Sequence, residues 1–354
     1  MRASRFLRCG APVLLVLAWS LPVAAAPAAS GMASAMDRAL VARSLERAQG
    51  LARLHALIVA RHGEVLVARA FRGPRLERPV NVKSVSKSVI AALVGAAIGR
   101  GLVSGTDAPL AAYLADRLPA RADPRLRHVT IGNLLSMQAG LERTSGRNYG
   151  RWVNSPDWVR HALSRPFADE PGGRMLYSTG NSHLLSAILT RVGGKSTHAL
   201  AVEWLGRPLG IDIPAWQRDP QGIYFGGNNM ALSPLALLRL GELYRQDGLH
   251  EGRRILPAGW VRQSWTARAQ SPFSGDDYGY GWFLTEMCAE RVAYARGFGG
   301  QFIFVVPGTG QTIVITSDTA SRTRVGGYFD ALMDLVGDGF VRAALRADGR
   351  ACPD

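Results

Sequence analysis

Residues 82–100 have the sequence VKSVSKSVIAALVGAAIGR, the most apolar helical pattern after the N-terminal segment. A helix this apolar is typical of a domain interior. Ser84 and Lys87 are three residues apart, so they lie on one face of its first turn. Burying a lysine ammonium is costly or makes the amine neutral. The pattern therefore predicts a serine nucleophile whose proton passes to Lys87.

Ser-x-x-Lys is a short motif that also arises by chance, so its partners must come from elsewhere in the chain. Tyr177 is one candidate, because it precedes a helix predicted over 182–192. A phenol near a cationic lysine loses its proton more easily and can pass a proton to a leaving group. The alternative is that Tyr177 is a packing residue with a locally bonded hydroxyl.

The glycine pair Gly299-Gly300 is a second candidate, because it leads into an apolar strand that starts at Gln301. Adjacent glycines at a strand edge often mark close approach of a ligand to the backbone. Free N–H groups there can stabilise a developing oxyanion. A plain β-bulge or tight turn is the alternative interpretation.

The N-terminal segment has the pattern of a secretory signal peptide over residues 1–29. Three arginines come before an apolar run at 13–19, and small residues follow at 24–30. No later stretch has enough uninterrupted apolar residues to cross a bilayer. We therefore expect an exported protein, periplasmic or secreted, without stable membrane insertion.

Composition narrows the classes of partner. The chain has 354 residues, 47% of them hydrophobic, and a formal charge of +15. Its arginines are scattered, with no basic run or aromatic-interleaved stripe, so we expect no nucleic-acid partner. Its histidines are isolated, so we expect no metal and no cofactor. Cys288 and Cys352 could pair in an oxidising compartment, a point that the sequence leaves open.

The order of predicted elements indicates an α+β fold. Strands are predicted at 54–60, 64–71, 278–284, 292–296, 301–306 and 311–316, and helices at 36–49, 182–192, 197–205, 233–244 and 326–342. Strands at both ends would share one antiparallel sheet flanked by helices, with an all-helical lobe between them. We predict a discontinuous α/β domain over 30–75 and 256–354 and a helical domain over 76–255, with the site in the cleft between them.

The ordered motifs resemble those of the serine β-lactamase-related family, which includes class C β-lactamases, penicillin-binding proteins, family VIII esterases and 6-aminohexanoate-dimer hydrolases. The matching segments are SVSK at 84–87, PGGRMLYS at 171–178 and GFGGQ at 297–301, supported by 129–141 and 228–234. The resemblance covers the chain from Leu54 onward. It implies a β-lactamase/transpeptidase-like fold.

The resemblance also implies roles for individual residues. Ser84 would be the acylated nucleophile, Lys87 its proton acceptor, and Tyr177 a partner in acylation and deacylation. The backbone N–H groups of Ser84 and Gln301 would form the oxyanion hole. The remaining candidates are a substrate-binding asparagine, either Asn228 or Asn229, and Tyr149 at the cleft mouth.

Two departures from the family pattern bear on the substrate. Thr179 stands where asparagine is usual, with Asn181 two residues later, as in the dimer hydrolases. Phe298 begins a Phe-Gly-Gly segment where lactamases have Lys-Thr-Gly, and a phenyl ring cannot hold a substrate carboxylate. Arg296, two residues earlier and so on the same strand face, could supply the missing cation.

We therefore predict an exported, cofactor-free serine hydrolase that cleaves a small-molecule ester or amide through an acyl-enzyme on Ser84. One alternative is a class C-like β-lactamase or DD-peptidase, which Arg296 would favour. The other is a non-catalytic envelope-binding protein on the same fold.

Overall fold

Two distant parts of the chain build one antiparallel sheet of eight strands. The computed structural model describes residues 36–320 and 327–353. The sheet has the order β2-β1-β12-β11-β10-β9-β8-β7. Its strands are β1 (Leu54–Arg61), β2 (Glu64–Ala70), β7 (Ala269–Gln270), β8 (Asp277–Tyr278), β9 (Phe283–Met287), β10 (Glu290–Gly297), β11 (Gln301–Val306) and β12 (Gln311–Ser317). Two short pairs complete the strands: β3 (Val80–Asn81) with β4 (Ala231–Leu232), and β5 (Leu249–His250) with β6 (Arg253–Arg254).

Helices cover both faces of this sheet. The α-helices of the described residues, α1 to α13 in chain order, are Arg38–Gly50, Ser86–Gly99, Ala111–Leu114, Ile131–Leu135, Tyr149–Val153, Trp158–Leu163, Thr179–Gly193, Thr197–Ala201, Arg207–Leu209, Pro234–Arg245, Trp260–Ser264, Tyr328–Asp334 and Arg342–Ala347. The chain between β3 and β7 is largely helical. Within the described ranges no helix combines the length and apolar character needed to cross a bilayer.

The central strands are buried on both faces, which explains their nearly continuous apolar sequences. Ile58 and Val59 of β1 are both fully buried but belong to different core clusters. Because successive side chains alternate across a strand, Ile58 packs with the middle helices and Val59 with the terminal helices. The sheet therefore separates two cores.

The helix α2 is the centre of the larger core. Every residue from Ser86 to Ala97 is buried, and Thr179–Gly193, the helix α7, packs against it. The α-helix begins at Ser86 rather than at residue 82, because Lys83–Val85 form a 3₁₀ turn and Lys83 has a φ of 50°. The expected single helix over 82–100 is therefore wrong at its start, and Ser84 lies on the preceding turn.

The predicted α+β fold class is confirmed, and so are most of its elements. The predicted strand over 278–284 is wrong, because the chain turns between β8 and β9, where Gly281 has a φ of 79°. The closing helix α12 begins at Tyr328, and the start predicted at 326 lies outside the described residues. The domain boundaries at 75/76 and 255/256 stay predictions, and the signal peptide over 1–29 lies outside the described residues.

A disulfide joins Cys288 to Cys352, which answers the question that the sequence left open. Cys288 lies in the tight turn between β9 and β10, and the two Cα atoms are 4.5 Å apart. The bond closes a loop with a sequence separation of 64 residues. It attaches the C-terminal tail to the sheet.

We predict that Gly95→Ala destabilises the fold. A Cβ at residue 95 would overlap the indole of Trp260, which is buried against α2. Overpacking of this kind costs about 1–3 kcal/mol, more than the ~1 kcal/mol that alanine gains over glycine in a helix. Urea denaturation measures the change in the free energy of unfolding.

Gly50→Ala is the matched control for this substitution. Gly50 is also a helical glycine, at the end of α1, but no atom lies within 4 Å of its added Cβ. We expect this variant to be neutral or slightly stabilised. Equal stability of the two variants would contradict the close packing of α2 on Trp260.

Candidate active site

Ser84 and Lys87 form a direct hydrogen bond at the start of α2. Lys87 Nζ lies 3.0 Å from Ser84 Oγ. The 3₁₀ turn places Ser84 half-exposed, whereas the Lys87 side chain extends inward and is only 3% exposed. The predicted Ser-Lys pair is therefore in contact, with the serine at the partly exposed turn and the amine in the interior.

Lys87 has two further acceptors, both from other segments. Its Nζ donates to Gly227 O at 2.7 Å and to Thr179 Oγ1 at 3.3 Å. Burial lowers the pKa of Lys87 from 10.5 to about 7, because the charged ammonium loses its hydration. A neutral amine has two N–H bonds and one lone pair. The charged ammonium also donates to Ser84 Oγ. Once the amine is neutral and its two N–H bonds are directed at Thr179 and Gly227, its lone pair is left for the Ser84 hydroxyl.

Tyr177 lies next to this pair, as predicted. Lys87 Nζ is 4.9 Å from the centroid of the Tyr177 ring. Burial raises the pKa of Tyr177 to about 12, although a hydrogen bond with Ser84 and the charge of Arg296 act in the opposite direction. The expectation that Tyr177 loses its proton more easily is therefore wrong, because desolvation outweighs the hydrogen bond with Ser84 and the charge of Arg296. Near pH 7 its phenol is a proton donor.

The end of β10 packs directly on the turn that carries Ser84. A Cβ on Gly297 would collide with Val82 O, so only glycine permits this close approach. Gly297 pairs with Gln301 at the start of β11. This contact brings the predicted Ser84 and Gln301 segments to the same junction, and their role as oxyanion donors stays a prediction.

The glycine pair forms the turn between β10 and β11. Gly299 and Gly300 have φ values of 86° and 99°, which favour glycine. The N–H of Gly300 donates to Gly297 O at 3.3 Å, so it is not a free donor. The Gln301 amide side chain is held by two bonds to the backbone of Ser317. These bonds anchor the first residue of β11.

Phe298 and Arg296 are oriented differently from the sequence expectation. β10 ends at Gly297, so Phe298 lies in the turn and does not share a strand face with Arg296. The Phe298 side chain is 69% exposed. The Arg296 guanidinium lies 3.8 Å from the centroid of the Phe329 ring, and its charge lowers the pKa of Tyr177. The charge of Arg296 therefore opposes the rise in the pKa of Tyr177 that burial causes.

The structure separates the two candidate asparagines. Asn228 Nδ2 donates to the Tyr149 hydroxyl at 3.1 Å, and Asn228 directly follows the Lys87 acceptor Gly227. Asn229 instead donates to Gln217 and accepts from Asn81. Asn228 and Tyr149 therefore form one polar pair beside the site, whereas Asn229 fastens the loop to β3.

Three contributors to the site were not predicted as such. Thr179 takes up a contact with Lys87 at the position where the family has asparagine, and Ser145 hydrogen-bonds its hydroxyl at 2.9 Å. Gly227 offers its carbonyl to Lys87. The sequence offers a clue to Thr179, which replaces the asparagine of the family's Tyr-x-Asn motif, and to Gly227, which precedes the candidate Asn228. No local pattern indicates Ser145. Within residues 36–320 and 327–353, no group of three His, Cys, Asp or Glu side chains is placed to hold a metal.

Comparison with known proteins agrees with this geometry. A family model described as Beta-lactamase matches residues 38–336. Esterase EstB of Burkholderia gladioli is 29% identical over 209 residues, 53% of this chain and 51% of EstB, so the match spans about half of that relative's length. The 6-aminohexanoate-dimer hydrolase of Paenarthrobacter ureafaciens is 25% identical over 284 residues, 73% of this chain and 71% of that protein.

Solved structures show the same fold at lower identity. EstCE1, a hydrolase with promiscuous acyltransferase activity, superposes with a TM-score of 0.69 at 19% identity, over 87% of this chain and 100% of that one. A D-stereospecific amidohydrolase from Streptomyces superposes with a TM-score of 0.65 at 17% identity, over 84% and 98%. At such identities the likeness concerns the fold alone.

We predict that covalent labelling by a fluorophosphonate probe depends on the protonation of Lys87. Below a pKa of about 7 the ammonium cannot accept the Ser84 proton, and above it the neutral amine can. The labelling rate should therefore rise with pH to a plateau, with its midpoint near 7. Tyr177 should stay protonated across this range. Labelling followed by intact-mass spectrometry at each pH measures the profile.

Lys87→Ala should remove the pH-dependent labelling. Lys195→Ala is the matched control, because Lys195 is exposed and paired with Glu203 away from the site. A midpoint near the ordinary lysine value of 10.5 would contradict a desolvated Lys87.

Proposed function

The chain belongs to the Beta-lactamase family, and we propose that this serine hydrolase cleaves an ester or amide of a small molecule through an acyl-enzyme on Ser84. The observation that carries the proposal is the set of three hydrogen bonds around Lys87. Two acceptors occupy the N–H bonds of the neutral amine, so its lone pair is directed at the Ser84 hydroxyl. A buried lysine arranged in this way can act as a general base at neutral pH.

In the proposed acylation, Lys87 accepts the Ser84 proton while Oγ forms a bond to the substrate carbonyl carbon. The backbone N–H groups of Ser84 and Gln301 hold the oxyanion. Tyr177 donates its proton to the leaving oxygen or nitrogen as that bond breaks, and the Lys87 ammonium returns a proton to the tyrosine. The site then holds an acylated Ser84, a neutral amine and a neutral phenol.

In the proposed deacylation, the same groups act on a water molecule. Lys87 accepts a proton from the water as its oxygen attacks the acyl carbon. Ser84 Oγ departs and recovers a proton, which restores the starting state. Each proton that is removed has a recipient within the site, so no external cofactor is required by this sequence of steps.

Neutral acyl groups are the proposed substrate class. Phe298 stands where β-lactamases have the lysine of Lys-Thr-Gly, and its exposed ring offers an apolar surface to the substrate. The relatives named an esterase and a 6-aminohexanoate-dimer hydrolase are consistent with ester or amide chemistry. A non-catalytic binding protein is disfavoured, because a lysine buried beside a serine is costly without a chemical task.

A second candidate is a class C-like β-lactamase or DD-peptidase. It is favoured by one observation, the position of Arg296, whose charge acts on Tyr177 at the site. A substrate carboxylate could pair with this guanidinium. The stacking of Arg296 on Phe329 holds the group already, which weighs against that use.

We also propose that the protein is exported to the periplasm or secreted. The arginine-rich, then apolar, then small-residue pattern over 1–29 supports this. The pairing of Cys288 with Cys352 adds support, because disulfides persist in oxidising compartments. Nucleic acid is not a proposed partner.

We predict that Ser84→Ala abolishes the turnover of p-nitrophenyl esters and of the matching anilides. Removing the nucleophile of a serine protease lowers kcat on the order of 10⁶-fold. Intact-mass spectrometry during turnover should show an acyl adduct on the unaltered protein and none on the variant.

Ser88→Ala is the control for this test. Ser88 lies on the same helix and is buried, but its hydroxyl donates to Gly281 O rather than to Lys87. The adduct should persist in this variant. An adduct of equal size on Ser84→Ala would overturn the nucleophile assignment.

We predict that p-nitrophenyl butyrate is hydrolysed at least about tenfold more efficiently than mono-p-nitrophenyl succinate. The free carboxylate of the succinate ester would lose its hydrogen bonds to water on binding, which costs about 1.5–3 kcal/mol. Values of kcat/KM for the two esters, together with nitrocefin, measure the preference. A preference for the succinate ester that disappears in Arg296→Ala would instead favour the β-lactamase or DD-peptidase reading.

A further inference from the structure

A buried histidine–aspartate pair lies outside the chemistry proposed so far. His183 Nε2 and Asp219 Oδ2 are 3.0 Å apart, and both side chains are 0% exposed. Trp152, Trp158 and Phe225 surround the imidazole, with ring centroids 5.4–6.0 Å away. A polar pair in an aromatic core is costly unless every polar atom is bonded.

The hydrogen bonds of this pair define its tautomer. The backbone N–H of Gly226 points at His183 Nδ1 over 3.4 Å, so Nδ1 is the acceptor and Nε2 carries the hydrogen donated to Asp219. The other carboxylate oxygen, Asp219 Oδ1, accepts from the backbone N–H groups of Gln221 and Ile223. The imidazole therefore links the 219–223 turn to Gly226.

Gly226 is directly followed by the residues that face the active site. Gly227 O accepts from Lys87, and Asn228 bonds Tyr149. The Gly226 backbone is pressed against Ser182 and His183, where a Cβ would collide with Ser182 O. The loop thus has little freedom once the His183 bond is made.

His183 also belongs to the helix that carries the other Lys87 acceptor. It lies four residues after Thr179 on α7, and therefore on the same helical face. Thr179 lies on α7 and Gly227 lies on a separate loop. His183, also on α7, contacts that loop at Gly226. Its hydrogen bond with Gly226 therefore joins the two segments that carry the acceptors Thr179 and Gly227.

We propose that His183, oriented by Asp219, is a positioning residue that holds the Gly227 carbonyl against Lys87. The inference rests on the proposed function, because it assigns this pair a task in preparing the general base. Among the titratable side chains, Asp219 is paired with His183, and the ring of Tyr177 lies beside the Lys87 amine. The side chains of His183 and Asp219 are both fully buried and out of reach of a substrate, so they are not catalytic residues.

Asp219→Asn tests the proposal without leaving a buried charge. If the asparagine oxygen keeps the His183 bond, its NH₂ group faces the N–H donors of Gln221 and Ile223. If the amide flips, His183 must become the Nδ1–H tautomer, which cannot accept from Gly226. The first arrangement loses the bonds that hold residue 219 to the 221–223 turn, and the second loses the bond from Gly226 to His183.

We expect the loosened loop to admit water to Lys87 and to raise the pKa of its amine. The chain contains three lysines, Lys83, Lys87 and Lys195, so ¹³Cε-lysine NMR titration can follow Lys87 directly. The pKa of Lys87, read from the titration midpoint, should rise by about 1. This is a fraction of the roughly 3–5 by which full burial can lower a lysine pKa. The labelling rate at pH 7 should fall on the order of 10- to 100-fold, as expected for a misplaced catalytic group.

Two further variants make the test decisive. His183→Gln can still donate to Asp219 but cannot reproduce the Nδ1 acceptor, so it should shift the Lys87 midpoint in the same direction. Thr312→Val is the control, because it removes a buried 2.6 Å bond to Glu242 within the sheet core. It should lower Tm and leave the Lys87 midpoint unchanged.

The outcomes separate this inference from the proposed function. Folded Asp219→Asn and His183→Gln proteins with an unaltered Lys87 midpoint would overturn the positioning role alone, even if Tm fell. Failure of the unaltered protein to be labelled or to turn over esters would overturn the proposed function, and with it the task assigned to His183.

Discussion

The burial of one lysine amine is the constraint on which the site depends. Lys87 lies on the central helix of the larger core, where an ammonium is poorly solvated, and its pKa falls to about 7. The fold compensates with three hydrogen-bond partners from three segments: Ser84 on the preceding turn, Thr179 on α7 and Gly227 on the loop before β4. All three segments must be correctly placed, because a displaced segment would leave a buried polar group without its hydrogen-bond partner.

Glycines permit this convergence. Gly297 allows the end of β10 to contact the Ser84 turn, and Gly227 passes so close to Lys87 and Ser182 that a side chain would crowd both. Both the sheet strand and the loop thereby come into contact with the start of the helix. The tight junction explains how backbone groups, which carry no sequence signature of their own, become part of the site.

The two titrating groups of the site are displaced in complementary directions. Desolvation favours the neutral form of both Lys87 and Tyr177, so it lowers the pKa of the amine and raises that of the phenol. Near neutral pH one is a base and the other an acid. A single physical cause thus assigns the acceptor and the donor of a proton relay around Ser84.

Local sequence pattern was enough to predict the Ser84–Lys87 pair, most of the long strands and the α+β fold, because helical spacing and strand alternation are properties of neighbouring residues. The role of Tyr177 came from the family resemblance. Local pattern did not predict that the phenol keeps its proton, that Phe298 leaves the strand face, or which asparagine faces the site. The Cys288–Cys352 bond and the acceptors of Lys87 likewise emerged only from the tertiary structure. Desolvation and hydrogen bonding depend on which distant segments meet, and that is decided when the sheet, α7 and the Gly227 loop close around the lysine.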